Sequence, residues 1–258
     1  MVVSMAFHFQ IGEISDFFGV PASTLRYWED MGVLKPFKDS RNHYREYTIE
    51  DLMTISDVIF YKNLGLQLKQ IRGMESATPG QHNQLFMEKL SELEHQQRLL
   101  EERIEKLRHH MKAIQMMEEL IQNPYRETDI DTDYIVSFDL IERDKLRQYI
   151  GNPYLYSRVQ HSDHPEKEQR GLTIPSDLKG QFPDSQILWK KQSSRYITFL
   201  MREEIADGFP NDLQKHLLHI QNSHKTGAII SRFLLCAQED GKVYDFYKTF
   251  VEILAQNS

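Results

Sequence analysis

The chain has 258 residues, of which 40% are apolar, 11% aromatic and 27% charged, with a formal net charge of -7. That is enough for one large domain or two of ordinary size, and too rich in apolar and aromatic residues for a disordered chain. A run of about 18 uninterrupted apolar residues, which a membrane helix needs, does not occur, and the single cysteine, Cys236, excludes an internal disulfide and every thiolate-rich zinc or iron-sulfur site.

The opening residues MVVSMAFHFQIGEIS lack the basic region and continuous apolar stretch of a secretory signal, so a cytoplasmic protein is expected. The chain's 11 histidines contain neither a His-x-x-x-His nor a His-Glu-x-x-His spacing. No metal and no cofactor are expected.

Three zones follow in chain order: residues 1–80, 81–122 and 123–258. In the first, Ile11, Ile14 and Phe18 share one helical face, Gly19 permits a tight turn, and Pro21-Ala22-Ser23 opens a second helix. Leu25, Trp28 and Met31 give that helix an inner side, while Ser23, Arg26, Tyr27 and Asp30 lie on the other. Two short helices joined this way form a helix-turn-helix, whose second helix fits a major groove about 12 Å wide. The zone up to residue 75 has eight Lys/Arg against ten Asp/Glu, so a positive surface must be local. It falls at Lys35, Lys38, Arg41 and Arg45, where Asp39 is the lone acid. Tyr44, Arg45 and Tyr47 then suit a small basic hairpin whose arginines pair with phosphates. Helices over 48–62 and 67–75 complete the zone, with Leu52, Ile55, Ile59, Leu68 and Ile71 facing inward.

The pieces IGEIS, FGVPASTLRYWEDMGVLKP, NHYREYTIEDL and FYKNLGLQLKQI, in this order over residues 9–75, closely resemble the DNA-binding domain of the MerR family of bacterial transcription regulators. The resemblance implies a winged helix-turn-helix bound to double-stranded promoter DNA, with RNA polymerase at the same promoter and activation by bending and untwisting the DNA. Carried onto this chain, the DNA contacts fall on Ser23, Arg26, Tyr27, Tyr44, Arg45 and Tyr47, with Lys38 and Arg41 beside phosphates. Trp28 stands where a second tyrosine is usual in the family, and a buried role suits it.

The middle zone carries the clearest period. Phe86, Leu93, Leu100, Leu107, Ile114 and Ile121 recur every seven residues, with Leu90, Gln97, Ile104, Met111 and Glu118 between them. This pattern calls for a coiled coil over about five heptads. Such a helix, about 54 Å long from residue 86 to 121, needs a partner for its stripe. Packing on the chain's own domains is the competing explanation, but flanking charges such as Glu101, Arg103 and Lys106 favour a helix pair in solvent. A homodimer is the commonest closed solution, and the family resemblance makes the pair antiparallel.

Beyond Asn123-Pro124 the pattern is of strands with two helices. TDYIVSFDLIE reads as a strand, ERDKLRQYI as a helix, and NPYLYSRVQ and QRGLTIP as strands. SSRYITFLMREE, the helix NDLQKHLLHIQNS, and AIISRFLLCAQ with DFYKTFVEIL around the turn EDGK complete an α+β domain. The overall expectation is a multidomain chain: an all-α winged helix-turn-helix, a long coiled-coil helix and an α+β effector-binding domain. The last zone resembles the gyrase-inhibitor-like effector domain of multidrug-responsive members of the family, chiefly in element order.

Sixteen of the 28 aromatic residues lie beyond residue 122. An aromatic pocket with one buried carboxylate suits a small apolar organic cation as effector. By resemblance the carboxylate is Glu252, with Tyr134, Tyr156, Tyr196 and Phe250 as candidate walls. No nucleophile elbow or phosphate-cradling glycine loop is present, so the reading is a regulator and not an enzyme. The alternatives are an architectural or constitutive DNA-binding repressor with a silent C-terminal domain, or a small-molecule hydrolase domain fused to a DNA-binding one.

Overall fold

The computed structural model describes residues 8–38 and 44–255, divided into two compact units, Met1–Leu100 and Glu101–Ser258. In the first unit, helix α1 (Ile11–Phe18) stops at Gly19, whose φ of 62° is a left-handed cap that a side chain would strain. Helix α2 (Ala22–Asp30) follows Pro21, and strands β1 (Phe37–Lys38) and β2 (Arg45–Glu46) pair antiparallel as the wing. Helix α3 (Ile49–Asn63) opens on a reciprocal capping box. Thr48 Oγ1 accepts from the Asp51 amide at 3.3 Å and the Asp51 carboxylate accepts from the Thr48 amide at 2.8 Å. Helix α4 (Leu68–Met74) closes the unit. Ile14, Leu25, Trp28, Ile55, Leu68 and Ile71 are buried in one core, and Phe18, Met31, Leu52 and Ile59 pack against it.

Helix α5 (Pro79–Gln122) starts on a proline, whose missing amide costs nothing at a helix's first position. Within the single chain its stripe stands open: Leu93, Leu100, Leu107, Ile114 and Ile121 are exposed, as are Leu90, Ile104 and Met111. Phe86 differs, being half-buried against the first unit's core.

The second unit is mixed α/β. Its strands are β3 (Arg126–Thr128), β4 (Tyr134–Ser137), β5 (Tyr156–His161), β6 (His164–Ile174), β7 (Ile187–Lys190), β8 (Arg195–Glu204), β9 (Thr226–Glu239) and β10 (Lys242–Ile253). They form one antiparallel sheet in the order β3-β8-β10-β9-β5-β6-β4-β7. Helix α6 (Arg143–Gly151) follows β4, and α7 (Leu213–Gln221) follows β8. The β9–β10 hairpin turns at Asp240 and Gly241, both left-handed at φ 50° and 81°, the geometry that matches strand twist. The short strands β3 and β7 have no counterpart in the sequence reading, because three or four residues show no period.

Side chains alternate across β8 and β10 and so sort onto two faces. Ile197, Phe199, Met201, Tyr247 and Val251 meet Leu213, Leu217 and Ile220 of α7 on one face. Leu200 and Phe246 lie on the other, packed with Ala113 and Leu120 from the C-terminal stretch of α5.

One close approach fixes the β4–β6 pairing. A Cβ on Gly171 would collide with the Ile135 side chain and lie 2.7 Å from the Val136 carbonyl oxygen, which is backbone and cannot rotate away. Gly171→Ala is expected to destabilise the C-terminal unit by about 1–3 kcal/mol. Denaturant unfolding followed by tryptophan fluorescence checks it, since Trp189 lies on the neighbouring strand β7.

Candidate functional site

In the first unit, α2 presents Ser23, Arg26 and Tyr27 to solvent, and Lys38 and Tyr44 are exposed on the wing. Arg41 lies outside the described residues. Arg45 and Tyr47 turn inward instead. Arg45 Nε donates to both carboxylate oxygens of Glu29 at 2.7 and 3.0 Å, and the fully buried Tyr47 donates its hydroxyl to Glu29 at 2.7 Å. Burial first, and then the bond to Glu29, raises the Tyr47 pKa far above its ordinary value. These two residues therefore tie the wing to α2 while Arg26 and Tyr27 remain free to meet a groove.

The second unit holds a cavity of about 1110 Å³ on the α7 face of the sheet. Its rings include Phe138, Tyr149, Tyr156, Phe209, Phe233 and Tyr247. Its charges are five carboxylates, Asp139, Glu166, Glu168, Glu203 and Asp245, against two guanidiniums, Arg158 and Arg170. The acids outnumber the bases.

The wall centres on Arg158, which β5 projects onto the cavity face. Its two terminal nitrogens grip Glu203 at 2.6 Å each; one also reaches Glu168 at 3.1 Å, and the other donates to the Tyr247 hydroxyl at 2.5 Å. Arg158 and Glu203 keep only 8% and 6% of their side-chain surface exposed. The guanidinium carbon stands 4.3 Å from the Tyr247 ring centre and 5.8 Å from that of Tyr156. Burial works to lower the Arg158 pKa, but the bonds to Glu203 and nearby negative charge carry it well above the ordinary value. Arg158 is a fixed charge.

Asp245 is the register partner of Glu203 across β8 and β10. Burial raises its pKa, and the neighbouring Glu203 adds to the rise against the opposing pull of Cys236, Arg158 and Tyr247. Among the described residues it forms no ion pair. The Cys236 thiol, opposite it on β9, is likewise pushed up by burial and by Asp245.

Of the wall residues expected from the sequence, Tyr156 lines this cavity. Tyr134 is half-buried beside the Val136–Leu172 core. Tyr196 and Phe250 are fully buried with Trp189 and Ile230, on the other face of β8 and β10. Glu252 shares their face, accepting from Ser194 Oγ at 2.6 Å and from the Ala228 amide at 3.0 Å. Alternation excludes Glu252 from the cavity. Glu203, Arg158, Asp245 and Tyr247 take the central positions, and the signal for Glu203 was present: it continues the inward series Ile197, Phe199, Met201 by steps of two. Among the described residues no cluster of three His, Cys, Asp or Glu could hold a metal ion, and no helix is long and apolar enough to cross a membrane.

The first unit has the architecture of a helix-turn-helix regulator. Residues 9–78 match the MerR HTH family regulatory protein family. Over those residues the first unit is a helix-turn-helix domain of the MerR type. It is 29% identical over 110 residues to the HTH-type transcriptional activator TipA of Streptomyces coelicolor, covering 42% of this chain and 40% of that one. The chain thus spans about two fifths of the TipA length. It is 27% identical over 118 residues to the HTH-type transcriptional regulator ZntR homolog of Haemophilus influenzae, covering 44% of this chain and 84% of the other. Among solved structures, the EcmrR-DNA complex is similar over 95% of this chain and 100% of that chain, with 16% identity and a TM-score of 0.38.

The two faces of α2 make separable predictions. Glu29→Ala strips the acceptor from a buried hydroxyl and a guanidinium, and should cost about 2 kcal/mol of the first unit's stability. Arg26→Ala, on the exposed face, should change stability by no more than about 0.5 kcal/mol. Thermal unfolding followed by Trp28 fluorescence distinguishes them.

Proposed function

We propose that this chain is a DNA-binding transcription regulator of the MerR type that works as a homodimer under the control of a small organic effector. The observation that carries the effector reading is the aromatic, acid-rich cavity of the second unit. Rings supply apolar and cation-π contact, and the excess of carboxylates favours a ligand with positive charge. The domain name most in keeping with this is a gyrase-inhibitor-like effector domain. Distortion of promoter DNA, with RNA polymerase bound at the same promoter, is the mode of action the family resemblance supports.

Self-association rests on the stripe of α5. A face that exposes Leu93, Leu100, Leu107 and Met111 to water is unfavourable by about 25 cal/mol for each Å² of apolar surface, and an antiparallel pair of such helices buries it. Leu100→Glu with Leu107→Glu is expected to convert the dimer to a monomer. Sedimentation equilibrium at micromolar concentration reads the change, and a monomeric wild type would refute the dimer.

On DNA, each protomer places α2 in a major groove with its wing on the adjacent backbone, so the operator is a near-palindrome. Arg26→Ala should weaken operator binding by about tenfold or more and Lys38→Ala should flatten its salt dependence. Footprinting upstream of the chain's own gene, followed by titration at several salt concentrations, tests this. The effector reading is tested by thermal shift and operator binding with a panel of lipophilic cations and neutral analogues. A panel that moves neither measurement favours the architectural repressor.

A further inference from the structure

The cavity has the parts of a cation site, yet the protein's own cation already stands in it. Tyr247 and Tyr156 flank the Arg158 guanidinium, Glu203 holds it through two 2.6 Å bonds, and Glu168 adds a third carboxylate contact. Rings on the flank and carboxylates at the edge are what an ammonium or amidinium group needs once it leaves water. A ligand cation entering this place would have to expel a buried guanidinium from a bidentate pair and leave that charge unpaired.

We infer that Arg158 is the specificity-determining residue of the cavity: it occupies the ring-and-carboxylate cage as an internal ligand, and so directs the positive group of any effector away from Glu203 to the unpaired carboxylate of Asp245. The two acids are register partners on adjacent strands, so they share a wall while differing in what faces them. Glu203 has a guanidinium. Asp245 has the Cys236 thiol and the Tyr247 hydroxyl, and Arg158 acts on it through charge alone, with no ion pair between them. The wild-type cavity is thereby selective for a cation whose apolar body reaches past Arg158, and against small compact cations that would fit only the cage. This inference rests on the cavity being the effector site.

Removing the guanidinium tests it. Arg158→Ala leaves the buried Glu203 without a counter-charge and vacates the place between the Tyr156 and Tyr247 rings, which ethylguanidinium or benzyltrimethylammonium can then take. Calorimetry and thermal shift on the full-length protein are expected to show both cations binding Arg158→Ala at least about tenfold more tightly than wild type, with no gain for neutral benzyl alcohol. The double variant Arg158→Met/Glu203→Gln, a neutral pair of similar volume, should lose that gain. If Arg158→Ala does not fold alone, millimolar ethylguanidinium should restore it, while the double variant folds without the additive. Asp245→Asn in the otherwise wild-type chain should weaken benzyltrimethylammonium and leave benzyl alcohol unchanged.

An equal affinity of wild type and Arg158→Ala for the two cations overturns the proposal, as does a cation gain that survives Glu203→Gln or an unfolded Arg158→Ala that no cation restores. A wild-type response to Asp245→Asn equal for the cation and the neutral compound overturns the second half. These failures leave the sensor reading standing if the wild type still answers a wider organic panel. Failure of that panel, with the cage variants behaving as expected, removes the sensor reading and keeps the cage.

Discussion

Everything in the second unit depends on the period-two alternation of β8 and β10. These strands pair in register from Arg195–Ile253 to Glu204–Tyr244 without a slip, so a residue's parity decides which side of the sheet it serves. One parity gives Ile197, Phe199, Met201 and Glu203 facing α7 and the cavity. The other gives Tyr196, Leu200 and Arg202 facing away. A one-residue slip would turn Ile197, Phe199 and Met201 away from α7 and bring Thr198 and Arg202 to that side, which is why the register is strongly specified and the cavity acids are held opposite each other.

Within that frame the Arg158–Glu203 pair is a costly choice. Taking both charges out of water offsets much of their attraction, and an apolar pair of similar volume is often as stable. Its value therefore lies in what it specifies. The pair crosses from β5 to β8, and Tyr247 of β10 completes the bridge through its hydroxyl. Three strands are thus locked to one donor-acceptor geometry, and any departure leaves a buried charge unpaired. Asp245 pays the electrostatic consequence, since it sits beside Glu203 without a cation of its own.

Much of this was legible in the sequence, for identifiable reasons. The helix-turn-helix stood out because its turn glycine, its proline-led second helix and its apolar spacing all agree. Helix α5 stood out because seven-residue periodicity survives over many turns. The long strands β8, β9 and β10 were visible as apolar runs around a two-residue turn. What was hidden was direction. Arg45 and Tyr47 have the residue types of a phosphate contact, and only the position of Glu29 across the wing reveals that they turn inward. Glu252 is flanked by apolar residues, as a pocket acid should be, but sequence does not tell which face of a strand lies under a cavity. Arg158 gave little local signal, because only Glu168 is near it in the chain, and its two buried partners Glu203 and Tyr247 lie 45 and 89 residues away.

The same alternation puts the cavity and helix α5 on opposite sides of one layer. Phe233 faces the cavity and Leu234 packs toward the helix; Asp245 and Tyr247 face the cavity, and Phe246 between them packs toward it. A β-bulge interrupts the β9–β10 pairing at this place, between Phe246 and Tyr247. Bulges twist a strand locally and leave one residue out of the ladder, here at the place where the layer separates the cavity from the helix. Any ligand that binds one twist of this bulge better than another shifts the balance between them, by no more than its difference in affinity for the two. Ala113 and Leu120 of the helix sit against Leu200, Leu234 and Phe246, so the face of the layer opposite the cavity is packed directly on the helix.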